Sequence, residues 1–193
     1  NGLYENGNFQ GGGNNGSFGK GDELDFTNYG VKAGFTHKIT GKHLFDVNGS
    51  MFSKAPGIRS SYSNARQTNA SVIGLESENI QSVDASYIFR SPKVKARLTG
   101  FYSGFKNGSD IGFYFTEDLA GLGVDTGDAF VQEVLTNIER RHVGMELGIE
   151  AQVTPTIKLK GAANVGQYTY DNNPNLYLTT ENNTRSQDAG FTN

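Results

Sequence analysis

The stretch HKITGKHLFDVNGSMFSK, His37–Lys54, decides how the rest of the chain is read. ITGK (Ile39–Lys42) makes a short turn between two segments in which apolar and polar residues alternate. After the turn, Phe45, Val47, Gly49 and Met51 share one side, while Asp46, Asn48 and Ser50 share the other. Before it, Tyr29, Val31, Ala33, Phe35 and Ile39 oppose Asn28, Lys32, Thr36 and Lys38. A period of two belongs to strands whose two faces meet different surroundings. The stretch is therefore a hairpin with one apolar face and one wet face.

The same unit recurs twice. Val83, Ala85, Tyr87 and Phe89 oppose Ser82, Asp84 and Ser86, with Ile80 and Ile88 as exceptions on the polar side. A short turn at Ser91-Pro92-Lys93 follows, and then Val94, Ala96, Leu98, Gly100 and Tyr102 oppose Lys95, Arg97 and Thr99. In the third unit Val143, Met145, Leu147, Ile149 and Ala151 face away from Glu146, Glu150 and Gln152. After Thr154-Pro155-Thr156, Ile157, Leu159, Gly161, Ala163 and Val165 oppose Lys158, Lys160 and Asn164. Between units lie polar stretches without a period: Asn1 to about Lys20, Ala55 to about Leu75, Ser103 to Asn137, and Asn172 to Asn193. These read as loops, the first of them flexible. Within Ser103–Asn137, Asp128 reads as the N-cap of a short helix AFVQEVL, with Phe130, Val131, Val134 and Leu135 as its apolar stripe.

Composition narrows the class. Of 193 residues only 35% are hydrophobic, yet thirteen Phe and nine Tyr are too many for a disordered chain. The net charge of -3 lacks the basic footprint of a nucleic-acid binder, and zero Cys excludes disulfides and thiolate metal sites. No apolar run approaches the length of a membrane helix, but a membrane strand needs only alternate residues to be apolar.

Short turns and long loops alternate strictly along the chain. A transmembrane barrel segregates its connections this way, with short periplasmic turns at one rim and long extracellular loops at the other. The apolar face carries small residues (Ala33, Gly49, Ala85, Gly100, Gly161, Ala163) that would fill a core thinly. Phe35, Phe45, Tyr87 and Phe89 gather near the turns, as an interfacial girdle would, although Trp, a favoured girdle residue, is absent. The expectation is an all-β fold: a segment of a transmembrane antiparallel β-barrel in which Phe35, Phe45, Val47, Met51, Leu98, Leu147 and Leu159 face lipid. Six strands cannot close a membrane barrel, whose smallest members have about eight. Further strands are therefore expected on both sides, and residues 1–193 are read as one partial barrel domain. A soluble extracellular β-sandwich that binds glycan satisfies the same alternation and remains the alternative.

The wet face holds the candidate site. Asp84, Lys95, Arg97, Glu146, Glu150, Lys158 and Lys160 are expected to line a lumen, with Glu146 or Glu150 pairing with Lys158 or Lys160 across the third turn. Tyr168 and Tyr170 stand where the last strand enters its loop and are ligand candidates at the mouth. Catalysis is not expected. Asp125-Thr126-Gly127 matches the aspartic-protease tripeptide, but that chemistry needs two such carboxylates sharing a proton, and there is one copy. His37, His43 and His142 have no zinc-binding spacing, so neither a metal nor another cofactor is expected.

Three segments resemble a known family: THKITGKHLFDVNGSMFSKAPGIRSSYSNARQTN, ASYIFRSPKVKARLTGFYSGF, and FVQEVLTNIERRHVGMELGIEAQVTPTIKLKGAANVGQYTYDNNPNLYLT. They are similar to the later barrel strands of TonB-dependent outer-membrane receptors of Bacteroidetes type, those with a carboxypeptidase-regulatory-like domain, from about Asp25 to Thr180. The resemblance implies a barrel of about 22 strands around a plug. It further implies location in the outer membrane against lipid and lipopolysaccharide, and import of a bulky nutrient (glycan, peptide or metal chelate). The energy would come from a periplasmic TonB protein, often with a surface lipoprotein as partner. A non-transporting barrel that serves as structural or accessory subunit of an envelope complex is the alternative within that class.

Overall fold

The computed structural model describes residues 3–5, 8–10, 23–62, 71–116, 129–180 and 187–188. Two short strands, β1 (Leu3–Glu5) and β2 (Asn8–Gln10), form a small antiparallel hairpin. The rest is built on β3 (Gly30–Lys38), β4 (His43–Lys54), β5 (Glu78–Arg90), β6 (Val94–Thr116), β7 (Ala129–Gln152), β8 (Lys158–Tyr170), β9 (Asn175–Thr180) and β10 (Gln187–Asp188). These make one 8-stranded antiparallel sheet in the order β10-β9-β7-β6-β5-β4-β3, with β8 also paired to β7. The sheet is open.

The three expected hairpins are present, with turns at 39–42, 91–93 and 153–157. Each turn is closed locally. Ile39 N donates to His43 O at 3.0 Å, Ser91 N to Val94 O at 2.8 Å, and Val153 N to Ile157 O at 2.9 Å. Register then carries the alternation across the sheet. Phe35 pairs with Val47, Val47 with Ala85, Ala85 with Gly100, Gly100 with Met145, and Met145 with Val165. Because side chains alternate along every strand, this single row places all the apolar sets on one face and the polar sets on the other.

The loop end differs from the sequence reading in three places. The segment AFVQEVL, expected as a helix, is the beginning of β7, while Asp128 itself lies outside the described residues. Its apolar spacing arises because both faces are covered there: Val131 and Val134, which point to opposite sides, are each 0% exposed. The expected loop 103–137 is largely strand, since β6 runs to Thr116 and β7 starts at Ala129. The expected loop from Asn172 contains β9, which continues the pairing of β7 after β8 has stopped. The stretch 55–75 carries a single 3-10 turn, Ile58–Ser60, and no strand among its described residues.

Local chemistry explains how β7 changes partners. Asn107 and Asn137 adopt left-handed backbone (φ 60 and 55), a conformation Asn tolerates better than other non-glycine residues, at the irregularities in the β6–β7 pairing. Asn172 bridges the gap between β8 and β9: its Nδ2 donates to Asn137 O at 2.6 Å, and its Oδ1 accepts from Glu139 N at 2.9 Å.

Burial is sparse: every residue of β3 and all but one of β8 are exposed, on both faces of the sheet. The buried apolar residues among those described are Val72, Ile80, Val131, Val134 and Ile138, and none belongs to the alternating apolar rows of the three hairpins. Those rows are open: Val31 is 68% exposed, Phe35 64% and Val165 69%.

Candidate functional site

The polar face is the concave one. A hollow of about 690 Å³ is lined by side chains from β3 to β8, among them Lys32, Asn48, Ser82, Asp84, Arg97, Glu146 and Asn164. A second hollow, of about 610 Å³, lies nearer the turns and is lined by Arg90, Lys95, Arg97, Glu150 and Lys160. All seven charged residues singled out from the sequence (Asp84, Lys95, Arg97, Glu146, Glu150, Lys158, Lys160) share this face, as do Tyr168 and Tyr170. Phe35, Phe45, Val47, Met51, Leu98, Leu147 and Leu159 share the opposite, apolar face.

The register sorts the polar face into layers. Nearest the turns, Glu150 is held by three ammonium groups: Lys158 at 3.0 Å, Lys160 at 3.6 Å and Lys95 at 3.9 Å. Of the two expected carboxylates, only Glu150 takes the lysines; Glu146 accepts instead from Asn164 Nδ2 at 3.2 Å. The next layer up contains Arg97, with Gly148 and Ala162 beside it on β7 and β8. Arg97 Nε donates to Ser86 Oγ and Thr99 Oγ1, each at 3.2 Å, and its Nη2 donates to Ser86 Oγ at 3.0 Å.

Above Arg97 the layer is acidic and amide-rich. Thr36 Oγ1 donates to Asp46 Oδ1 at 2.6 Å, and Asn48 Nδ2 donates both to Asp46 at 3.0 Å and to Asp84 at 3.1 Å. One amide on β4 thus bridges carboxylates on β4 and β5, and Thr36 ties β3 to the same group. Gly144 and Gly166 face each other over the following layer, and Phe101 packs on the first of them.

Toward the loops the wall becomes aromatic. His142 lies between Phe105 (ring centroids 4.8 Å apart) and Tyr168 (4.9 Å), and the Arg140 guanidinium sits 5.1 Å from the centre of the Phe105 ring. Arg140 also pairs with Glu78 on β5, reaching across β6. Tyr168 (59% exposed) and Tyr170 are open to solvent beside this cluster. Sequence reasoning missed Phe105 and Arg140 because it ended β6 at Tyr102 and began β7 after them. The usable signal was continued pairing potential on both sides of 117–128, since alternation itself fades where both faces are covered.

The remaining histidines lie on the apolar face at the turn end. His43 shares a hydrogen bond with the Tyr87 hydroxyl and packs on Phe89, and His37 stacks on Phe35. No group of three metal-ligating side chains occurs among the described residues. Asp125-Thr126-Gly127 lies outside the described residues. Comparison of the chain with family models, with curated proteins and with solved structures gives no match to any of them.

Proposed function

We propose that this sheet is part of the wall of an outer-membrane β-barrel, with the apolar face against lipid and the concave polar face lining the lumen. One observation carries the reading: the side that forms the hollows is charged, and the opposite side is an exposed apolar face. A sheet folded in water does the reverse, because burying apolar surface is the main force that folds it. An exposed apolar area of this extent marks contact with a membrane or a partner.

Dimensions support lipid as that contact. At about 3.4 Å per residue, Val143–Ala151 runs about 27 Å along β7; a tilt of about 40° reduces this to about 21 Å of height, close to the roughly 25 Å apolar band of such barrels. Polar residues bound the band on the loop side (Asn79, Gln81, Arg141, Gln167), while Phe35, Phe45, Tyr87 and Phe89 mark the turn side. Among the described residues β3 and β8 are each paired on one side only; in lipid their other edges need strand partners, because an unpaired backbone group costs several kcal/mol there. Additional strands of a large barrel supply them.

The resemblance to TonB-dependent receptors supports reading this wall as part of an outer-membrane importer, whose lumen ligand would meet the layers described above. The absence of Trp from the chain provides a clean test. In lipid vesicles, Met145→Trp is quenched by acyl chains carrying bromine and shielded from aqueous iodide, while Glu146→Trp, one residue along, behaves in the opposite way. Equal iodide quenching of both excludes the membrane wall. Import itself is tested by ligand accumulation in cells that stops when the proton gradient of the inner membrane is collapsed.

A further inference from the structure

Charge on the concave face is segregated by height, and the turn-side hollow has an excess of cations. Arg90, Lys95, Arg97 and Lys160 line it against a single carboxylate, Glu150, which is already shared among three lysines. Arg90 and Arg97 have no ion pair among the described residues, and of the two Arg97 is held by side-chain hydrogen bonds. Its hydrogen bonds go to the neutral hydroxyls of Ser86 and Thr99, and among the described residues no carboxylate lies within ion-pair distance of it. The Asp46 carboxylate, one strand beyond Ser86, bonds Thr36 and Asn48 and attracts Arg97 only from beyond ion-pair distance.

Three features make this more than a solvated arginine. The two hydroxyls hold Nε and Nη2, so the guanidinium is oriented before any ligand arrives and loses little freedom on binding. Its Nη1 makes no hydrogen bond among the described residues, which leaves donors for an acceptor. Gly148 and Ala162 flank it on β7 and β8, and a Cβ added at Gly148 would meet nothing within 4 Å, so the space beside the guanidinium is open. Both hollows reach Arg97, Gly148 and Ala162.

We infer that Arg97, with Lys95 and Lys160 beside it, forms an oxyanion site on the concave wall that takes the phosphate or carboxylate group of a soluble ligand. The guanidinium supplies directional, charge-assisted hydrogen bonds, and the two ammonium groups supply attraction without geometry. Glu150 acts as a positioning residue: it gathers the lysines near the site and lowers their mutual repulsion. The inference goes beyond transport. Its chemistry belongs to the concave face and holds whether or not the sheet crosses a bilayer.

The test is a titration of the intact protein in detergent micelles with inorganic phosphate, against chloride at equal ionic strength, read as the rise in melting temperature and as a dissociation constant by calorimetry. Phosphate stabilises the wild-type protein beyond chloride. Arg97→Gln weakens phosphate binding at least about tenfold, the loss of one charge-assisted contact, and Arg97→Lys retains part of it. Lys160→Gln, which leaves the Ser86 and Thr99 bonds intact, weakens binding in the same direction and keeps the test valid if Arg97→Gln does not fold. No phosphate-specific effect in the wild-type protein overturns the site, as does an undiminished effect in both variants. Neither result bears on the quenching pattern at residues 145 and 146, so the two proposals fail separately.

Discussion

Leu147→Arg puts the membrane reading at risk most directly. Leu147 is the middle residue of the apolar run Val143–Ala151 on β7, between Leu98 and Ala163 of the neighbouring strands. It is 38% exposed. In a bilayer this height is the midplane, where an arginine on the outer face of a barrel costs about 2–4 kcal/mol. At about 1.4 kcal/mol per tenfold, that is about a 30-fold to nearly thousandfold loss in the folding equilibrium. In water the same substitution adds a charge to an open surface and changes stability by about 0.5 kcal/mol or less. The two environments thus differ by more than the error of a urea titration. The assay follows unfolding of wild type, Leu147→Arg and Asn164→Lys in lipid vesicles. Asn164→Lys places a cation beside Glu146 on the concave face and is expected to stay within about 0.5 kcal/mol of wild type. A loss of under about 0.5 kcal/mol for Leu147→Arg would refute the assignment of this face to lipid.

Further perturbations follow from individual contacts. A Cβ at Gly144 would lie 2.6 Å from Val165 O and 2.8 Å from the Phe101 ring, so Gly144→Ala is expected to cost about 1–3 kcal/mol in thermal unfolding. Gly148→Ala, with open space at the same face, is expected to gain about 0.5–1 kcal/mol. Val134→Ala removes two buried methyl groups and leaves a cavity, for a loss of about 2 kcal/mol; the exposed Val165→Ala, in micelles, costs far less. Glu150→Gln leaves Lys95, Lys158 and Lys160 facing one another without their shared partner. Its unfolding midpoint is expected to fall below wild type at low salt and to converge with it at high salt, where repulsion is screened.

Much of the sheet was legible because sidedness is local. A residue's face depends only on its parity within a strand, so Phe45, Val47 and Met51 separate from Asp46, Asn48 and Ser50 without knowledge of any partner. The short turns were equally plain, since Pro, Gly and Ser interrupt the alternation there. What failed was every place where alternation is the wrong signal. Val131, Gln132 and Val134 are all buried, so both faces of β7 read as covered and the spacing imitated a helix. β9 begins just after an Asn-rich break, and Asn172 spans that break with a side-chain amide no periodicity records.

The wet face shows the same division. Its charged residues could be enumerated from one dimension, but mixed signs along the chain concealed their order in height. Only register brings Lys95, Lys158 and Lys160 around Glu150, leaves Glu146 to Asn164, and sets Arg97 between Ser86, Thr99 and two small neighbours. Curvature is likewise absent from the pattern: alternation says that a strand has a polar face and an apolar one, and is silent on which becomes the hollow. Hydrogen bonding between strands, and the twist that backbone sterics give each strand, act together over the whole sheet. They turned a list of polar residues into one face with a basic end, an acidic middle and an aromatic end toward the loops.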